Sequence, residues 1–478
     1  MKKTKVVCTI GPATKDVETL KKMILAGMNV ARINFSHGSM EEQRPYVEAV
    51  KIAREELQMP VALLLDTQGP EIRTGHLINS EHTVELKEGD TFILRNDDII
   101  GNAHEVSVSY KGLYKDVSFG KKILIDDGKI CLIVDKVDHK DIVCKVAYGG
   151  LLGDRKSINV PECELHLPAL KEKDIKDLKD GVVEKFDYIS ASFVRSAEDV
   201  KEIRKILDDN GGKDIKIISK IESAQGIKNF DEILRASDGI MVARGDMGVE
   251  IPLEDVPVVQ KKFIKACNKA GKLVITATQM LESMTHSPRP TRAEVSDVAN
   301  AIYDGTGAIM LSGESATGNY PVLCVETMVK IAKTVEDDID YWNKFYDLKT
   351  DDKKNNYEFN LNRSVCLTAA EMKAKGIVAY TIAGDTPKQI ASFFPDCPVF
   401  AITTSERTYR QLALVVDTYP ILLEKDPDIK VLMKKGIELL EEKGILKKGD
   451  ILVISGGGEV LDIGSTAMNR NIGGLLRV

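Results

Sequence analysis

Two short segments of this 478-residue chain end apolar runs in charge: Ile217-Ile218-Ser219-Lys220-Ile221-Glu222-Ser223, and Val242-Ala243-Arg244-Gly245-Asp246 soon after. Side chains of an extended segment alternate faces, so Lys220 and Glu222 point the same way from one strand end. A second strand is expected to deliver Asp246 beside them. One ammonium with two carboxylates fits a magnesium-assisted phosphoryl site, because this hard octahedral ion keeps positions open for substrate oxygens. Taken alone, Lys220 and Glu222 read equally well as a surface ion pair, worth ~0–1 kcal/mol. Other strand ends decide between the two.

Short β-branched runs alternate with amphipathic stretches through the first two-thirds of the chain, the pattern of parallel α/β units. Strands are expected at Lys5–Thr9, Val30–Ile33, Val61–Asp66, Tyr188–Ser190, Ile215–Ser219, Gly239–Ala243, Leu273–Thr276 and Ala308–Leu311. Helices such as Asp16–Ala26, Glu41–Leu57 and Val256–Ala270 fill the gaps. Eight such strands close a (β/α)8 TIM barrel, whose active site lies at the C-terminal strand ends.

Six of those ends are polar. The second strand runs into Arg32, Asn34, Ser36 and His37, and the third into Asp66-Thr67 with Arg73 just beyond. The fifth and sixth carry Lys220, Glu222 and Arg244-Gly245-Asp246; the seventh and eighth carry Thr276, Thr278, Gln279 and Ser312-Gly313-Glu314-Ser315. In register, these ends describe a phosphoryl-transfer site. Glu222 and Asp246 hold a metal, while Lys220 and Arg32 neutralise charge on a transferring group. Backbone N–H groups near Gly245-Asp246, where Gly permits close approach, receive a substrate carboxylate at a helix start. Asn34, Ser36, Asp66 and Thr67 form an all-oxygen cluster suited to a cation of low charge. Ser36-His37-Gly38 lacks a nucleophile elbow, so His37 is not read as a general base.

Roughly a hundred residues, Pro70 to Pro168, separate the third and fourth strands. Thr83–Lys87, Val106–Val108 and Lys122–Ile125 look like half-buried strands there, with Asp127-Gly128 as a hairpin turn. The expected organisation is a catalytic barrel over 1–69 and 169–345, an inserted small β-barrel lid over 70–168, and an open α/β domain over 346–478. Thr350 to Asn356 reads as the linker to that last domain, whose apolar runs are Gly376–Ile382, Val399–Thr403, Pro420–Leu423 and Ile451–Ser455. Thr403-Thr404-Ser405-Glu406-Arg407-Thr408 follows one of these runs. It is either an N-cap with extra hydroxyls or a phosphate site built from Thr403, Thr404, Ser405 and Thr408. Gly456-Gly457-Gly458 lacks the dinucleotide-binding spacing and reads as a tight turn.

Lys and Arg total 66 against 73 Asp and Glu, a net charge of −7, which disfavours a dedicated nucleic-acid binder. Eight scattered cysteines without Cys-x-x-Cys indicate neither a disulfide framework nor a zinc site and fit a reducing cytosol. Cys8 and Cys267 are expected to be buried as small hydrophobes. The N-terminal run Val6–Ile10 stops at Gly11-Pro12, too short for a signal peptide, and no stretch approaches the ~20 apolar residues of a membrane helix. A cytoplasmic location is expected.

The segments "ISKIESAQGI", "MVARGDMGVEI", "ARINFSHG", "DTQGPEIRTG", "ATQMLESM", "PRPTRAEVSDVANA" and "LSGESATGNYP" together resemble the pyruvate kinase family. The resemblance implies phosphoryl transfer from phosphoenolpyruvate to ADP in glycolysis, giving pyruvate and ATP. It implies that Lys220 stabilises the moving phosphoryl group and that Glu222 and Asp246 bind Mg2+. Arg32, Gly245, Asp246 and Thr278 would contact phosphoenolpyruvate, with Thr278 near the proton path to the enolate. Asn34, Ser36, Asp66 and Thr67 would ligate K+, and Glu71 marks a potassium requirement where a lysine would remove it. Arg73 and Lys156, with Asn34 and His37, would serve the nucleotide. A sugar phosphate or AMP would bind at Thr403, Thr404, Ser405 and Thr408, in a homotetramer. "RKSINVPE" departs from the family, with Ser157 and Glu162 where glycines are usual, and the chain stops at Val478 without the extra domain of some bacterial relatives. Two other readings stay open. A metal-dependent lyase acting on pyruvate enolates would share Glu222 and Asp246 but need no potassium cluster or Arg73. A ligand-binding regulator on a decayed barrel would be expected to have lost Lys220 or a carboxylate.

Overall fold

The computed structural model describes residues 1–36, 38–78, 82–161, 163–346, 356–456 and 472–477. His37, Glu162, linker residues 350–355 and Gly457-Gly458 lie outside them. Strands Lys5–Ile10, Val30–Asn34, Ala62–Asp66, Tyr188–Ala191, Lys216–Ile221, Gly239–Ala243, Leu273–Ala277 and Ala308–Leu311 form a closed parallel barrel, the first pairing with the last through Lys5 and Ala308. Each expected barrel strand is present, displaced by at most a few residues. Val7, Leu64, Ile218, Met241 and Ile275 fill the barrel interior, and a second apolar layer lies between strands and helices. The helices start where local chemistry permits. Asp16 caps Val17–Ala26 by accepting the Thr19 N–H at 2.8 Å, and Thr291 caps Arg292–Tyr303 through Glu294.

The insertion is a seven-stranded curled sheet with a two-stranded companion around its own core, which includes Phe92, Leu94, Val106, Ile123 and Leu132. Asp127-Gly128 does turn the chain, between Lys122–Ile125 and Ile130–Asp138; Asp126, Asp127 and Gly128 all have positive φ. The longest hairpin, Ile130–Asp138 with Asp141–Tyr148, was not expected from the sequence. Its turn residues, His139-Lys140, carry no Asn-Gly or Asp-Gly signal, and charged positions at the strand ends blur the alternation.

The C-terminal sheet runs Thr418–Leu422, Val399–Thr403, Gly376–Tyr380, Ile451–Gly456, Ile472–Arg477; the last strand is antiparallel to its neighbour. That fifth strand carries Gly473-Gly474, which lowers its strand signal in the sequence. This domain docks under the N-terminal end of the barrel. Tyr188, first residue of its strand, donates Oη–H to the Gln411 carbonyl at 2.6 Å, and Arg410 pairs with Asp187 at 2.9 Å. The opposite, C-terminal ends of the barrel strands are thereby left for chemistry. Cys8 and Cys267 are buried, and burial pushes the Cys267 thiol up to about 12. No described helix is long and apolar enough to cross a membrane.

Candidate active site

Asp66 ends the third strand and pairs in register with Asn34 on one side and Ser190 on the other, so barrel closure alone places its carboxylate centrally. Arg32 donates Nε–H to Asp66 Oδ2 at 2.8 Å and Nη1–H to Thr9 Oγ1 at 2.8 Å, and its Nη2 also contacts Asp66. Lys220 Nζ lies 2.9 Å from Glu222 Oε1 and 3.5 Å from Asp66 Oδ1, and donates to Ser192 Oγ at 2.9 Å. Glu222 Oε2 accepts the Phe193 N–H at 2.6 Å. Asp66 and Glu222 are 0% exposed, Lys220 and Arg32 9%. This is no surface ion pair.

The charges here are unequally shared. Burial would lower Lys220, but Asp66 and Glu222 outweigh it and the ammonium is held above its ordinary value. Burial likewise opposes Asp66, yet Arg32 and Lys220 keep its carboxyl below the usual range. For Glu222, burial wins over Lys220, and with Asp246 adding repulsion the carboxyl is pushed up to about 7. Glu222 Oε1 and Asp66 Oδ1 both face the Lys220 ammonium, so one cation is shared between two buried carboxylates.

The sixth strand ends at Ala243 as expected, and Asp246 sits in the first turn of helix Arg244–Glu250, which begins directly after it. The helix start also fixes Thr278: the Gly245 N–H donates to Thr278 Oγ1 at 2.8 Å, while Arg244 Nη2 and Nε donate to the Thr278 and Ala277 carbonyls at 2.6 and 3.2 Å. Thr278 and Gln279 both have positive φ, 68° and 55°. A β-branched residue there is strained, and the clamp from Arg244 and Gly245 holds it.

Family models match on both parts of the chain: "Pyruvate kinase, barrel domain" over residues 1–325 and "Pyruvate kinase, alpha/beta domain" over 360–470. The chain is 47% identical to the pyruvate kinase of Clostridium acetobutylicum across 98% of both chains. It is 45% identical to that of Geobacillus stearothermophilus, covering 98% of this chain and 80% of the relative. A crystal structure of a pyruvate kinase from Cryptosporidium parvum superposes with a TM-score of 0.94 at 38% identity, covering 100% of this chain and 96% of that one. The chain belongs to the pyruvate kinase family. It is an enzyme.

Among the remaining candidates for a pyruvate kinase site, Arg73 and Lys156 line one cleft of about 230 Å³ between insertion and barrel, together with Asp246, Glu250 and Asn159. Arg73 is held by Glu71 at 2.7 Å and by the Arg155 carbonyl at 3.0 Å; Lys156 pairs with Asp126 at 2.9 Å. Of the oxygen cluster, Asn34 Oδ1 accepts the Ser36 N–H at 3.0 Å, and Thr67 Oγ1 accepts the Ser192 N–H at 3.1 Å. At the eighth strand end, buried Glu314 accepts the Ser312 and Leu281 N–H groups at 2.7 and 3.0 Å, and Ser315 Oγ–H donates to the Thr9 carbonyl at 2.9 Å, which braces the loops. Among the described residues no three His, Cys, Asp or Glu side chains converge as a metal cage. Glu222 and Asp246 are near enough for their charges to repel, and two such carboxylates would fit an ion that finds its other ligands in water and substrate.

Sequence reasoning missed Ser192, Phe193 and Thr9, which contact Lys220, Glu222 and Arg32. Ser192 and Phe193 follow the fourth strand, whose end "SASF" carries no charge to attract notice. In the C-terminal domain, Thr403 Oγ1 accepts the Ser405 N–H at 3.2 Å, Ser405 Oγ accepts the Thr408 N–H at 3.2 Å, and Thr408 Oγ1 donates to the Ile382 carbonyl at 2.5 Å.

Proposed function

We propose that the chain, which as a member of its family converts phosphoenolpyruvate and ADP into pyruvate and ATP, does so with Mg2+ held by Glu222 and Asp246 and K+ held by Asn34, Ser36, Asp66 and Thr67. One observation supports the reading: two fully buried carboxylates, Asp66 and Glu222, share the single Lys220 ammonium, with Arg32 on Asp66 and Asp246 adding further negative charge beside Glu222. Buried negative charge is costly unless paired, and a cation at Glu222 and Asp246 offsets it. Bound magnesium supplies Lewis-acid polarisation of a phosphoryl oxygen.

The protein's own groups do the rest. Lys220 and Arg32 neutralise charge on the phosphoryl oxygens as the bond from phosphorus to the enol oxygen breaks and the bond to the terminal oxygen of ADP forms. Arg32, Gly245, Asp246 and Thr278 hold phosphoenolpyruvate, and Thr278 stands by the path of the proton that the enolate takes up. Arg73 and Lys156, with Asn34 and His37, hold the nucleotide, and residues 70–168 close over it. Residues 346–478 regulate, a sugar phosphate or AMP binding at Thr403, Thr404, Ser405 and Thr408. The protein works in glycolysis as a cytoplasmic homotetramer.

The test is pyruvate formation from phosphoenolpyruvate and ADP by purified protein supplied with both cations; no pyruvate sinks the reading. Omitting K+ should cut turnover, and Glu71→Lys should relieve that requirement. Turnover without ADP would favour the lyase.

A further inference from the structure

Glu250 is the last residue of the helix whose first turn carries Asp246. Its Oε1 accepts a hydrogen bond from Asn159 Nδ2 at 2.8 Å, and Asn159 ends the strand Ser157–Asn159 of the insertion. The same carboxylate accepts the backbone N–H of Ala224, two positions past Glu222. One side chain therefore touches the insertion, the helix of Asp246 and the segment of Glu222. The insertion's hairpin turn approaches the same helix, with Gly128 lying beside Val249. Asn159 and Glu250 also line the cleft shared by Arg73, Lys156 and Asp246. Burial, with Asp246 adding repulsion, raises the Glu250 carboxyl above its ordinary value even though Asn159 and Ala224 pull it down.

We propose that Asn159 and Glu250 form a clasp that ties closure of the insertion to the placement of the two cation-holding carboxylates. Both are positioning residues, and the clasp rests on the cation assignment above. When the insertion is docked, Asn159 satisfies Glu250, which fixes the far end of the Asp246 helix and the start of the segment after Glu222. When it is not docked, a half-buried carboxylate loses one of its donors and that junction loosens. Groups that orient metal ligands without touching the metal typically change affinity ~10–100-fold when removed.

The experiment uses the full chain and Mn2+ as a paramagnetic probe, with binding read by electron paramagnetic resonance alongside thermal midpoints and kinetics. Asn159→Ala should weaken Mn2+ binding about 10-fold and lower kcat, with the thermal midpoint unchanged. Asn159→Asp places a carboxylate opposite Glu250 and should weaken binding more. Combining Asn159→Asp with Glu250→Gln exchanges amide and carboxylate: the amide introduced on the helix donates to the carboxylate introduced on the insertion, and its oxygen still accepts from Ala224. That swap should restore Mn2+ affinity to within about 3-fold of the parent, small against the ~10-fold loss. Parent-like binding by both Asn159 variants, or a swap no better than Asn159→Asp alone, overturns the clasp. A parent protein that binds no Mn2+ overturns the cation assignment itself and takes the clasp with it.

Discussion

Two loops of this molecule follow parallel strands and carry dense polar residues, yet the fold treats them in opposite ways. At the barrel, the carboxylates Asp66, Glu222 and Asp246 are set against two cations, Lys220 and Arg32, and all but Asp246 are pressed out of water. At the C-terminal sheet, the hydroxyls of Thr403, Ser405 and Thr408 are each engaged within the loop or with Ile382, while Arg407 Nη1 is buried without a hydrogen bond. Polar groups must be accounted for in any fold, so what remains unaccounted for is what a ligand can use. The barrel cluster is left with surplus negative charge, which suits a cation. The C-terminal loop is left with a cationic group, and a ligand there must add to hydroxyl bonds already made.

Breaking the barrel side of this contrast should have the largest effect. Lys220→Met should lower kcat about 10³-fold in a steady-state assay of pyruvate formation, since one well-placed donor to developing charge is worth ~10²–10³. Retention of activity within tenfold would remove the distinction between the two loops. Next comes the link between the regions. Arg410→Ala leaves Asp187, fully buried, without its closest cation and should cost about 3 kcal/mol in denaturant unfolding; no loss would mean that Arg54, 3.9 Å away, suffices.

On the C-terminal side, Thr403→Ala with Ser405→Ala should abolish activation by fructose 1,6-bisphosphate, ribose 5-phosphate or AMP, whichever activates the parent, and spare basal turnover. Loss of the Ser405 cap alone should cost ~1 kcal/mol of local stability. Unchanged activation would leave the loop a cap and nothing more. The smallest effect concerns charge that faces no site. Hydrogen bonds from Lys51 and Arg44 hold the Glu184 carboxyl below its ordinary value of 4.5. A depressed carboxyl adds stability above its unfolded pKa and loses it as pH falls through the folded one. Glu184→Gln should therefore lose under about 1 kcal/mol at neutral pH, with the difference from the parent shrinking as pH falls through the depressed folded value.

Much of the site was legible because its residues announce themselves locally. An apolar β-branched run ending in Lys-x-Glu has a period of two whatever the rest of the chain does, and Glu222 duly stands beside Lys220. Asp246 was expected just past the sixth strand at a helix start, and it stands in the first turn of helix Arg244–Glu250. The Ile130–Tyr148 hairpin and the strand Ile472–Arg477 escaped notice because charged ends and paired glycines weaken alternation. Ser192 and Phe193 could not be found at all: a serine and a backbone N–H carry no signature until something charged lies next to them.

By itself, then, the sequence determined which elements form and which strand ends carry charge, because hydrophobic period and capping act over a few residues. The tertiary structure alone decided the partners. Asp66 meets Arg32 and Lys220, both remote from it along the chain, because eight parallel strands close on themselves. Burial then turns an ordinary glutamate into one pushed up to about 7, since removal from water disfavours its charge whatever its neighbours in sequence.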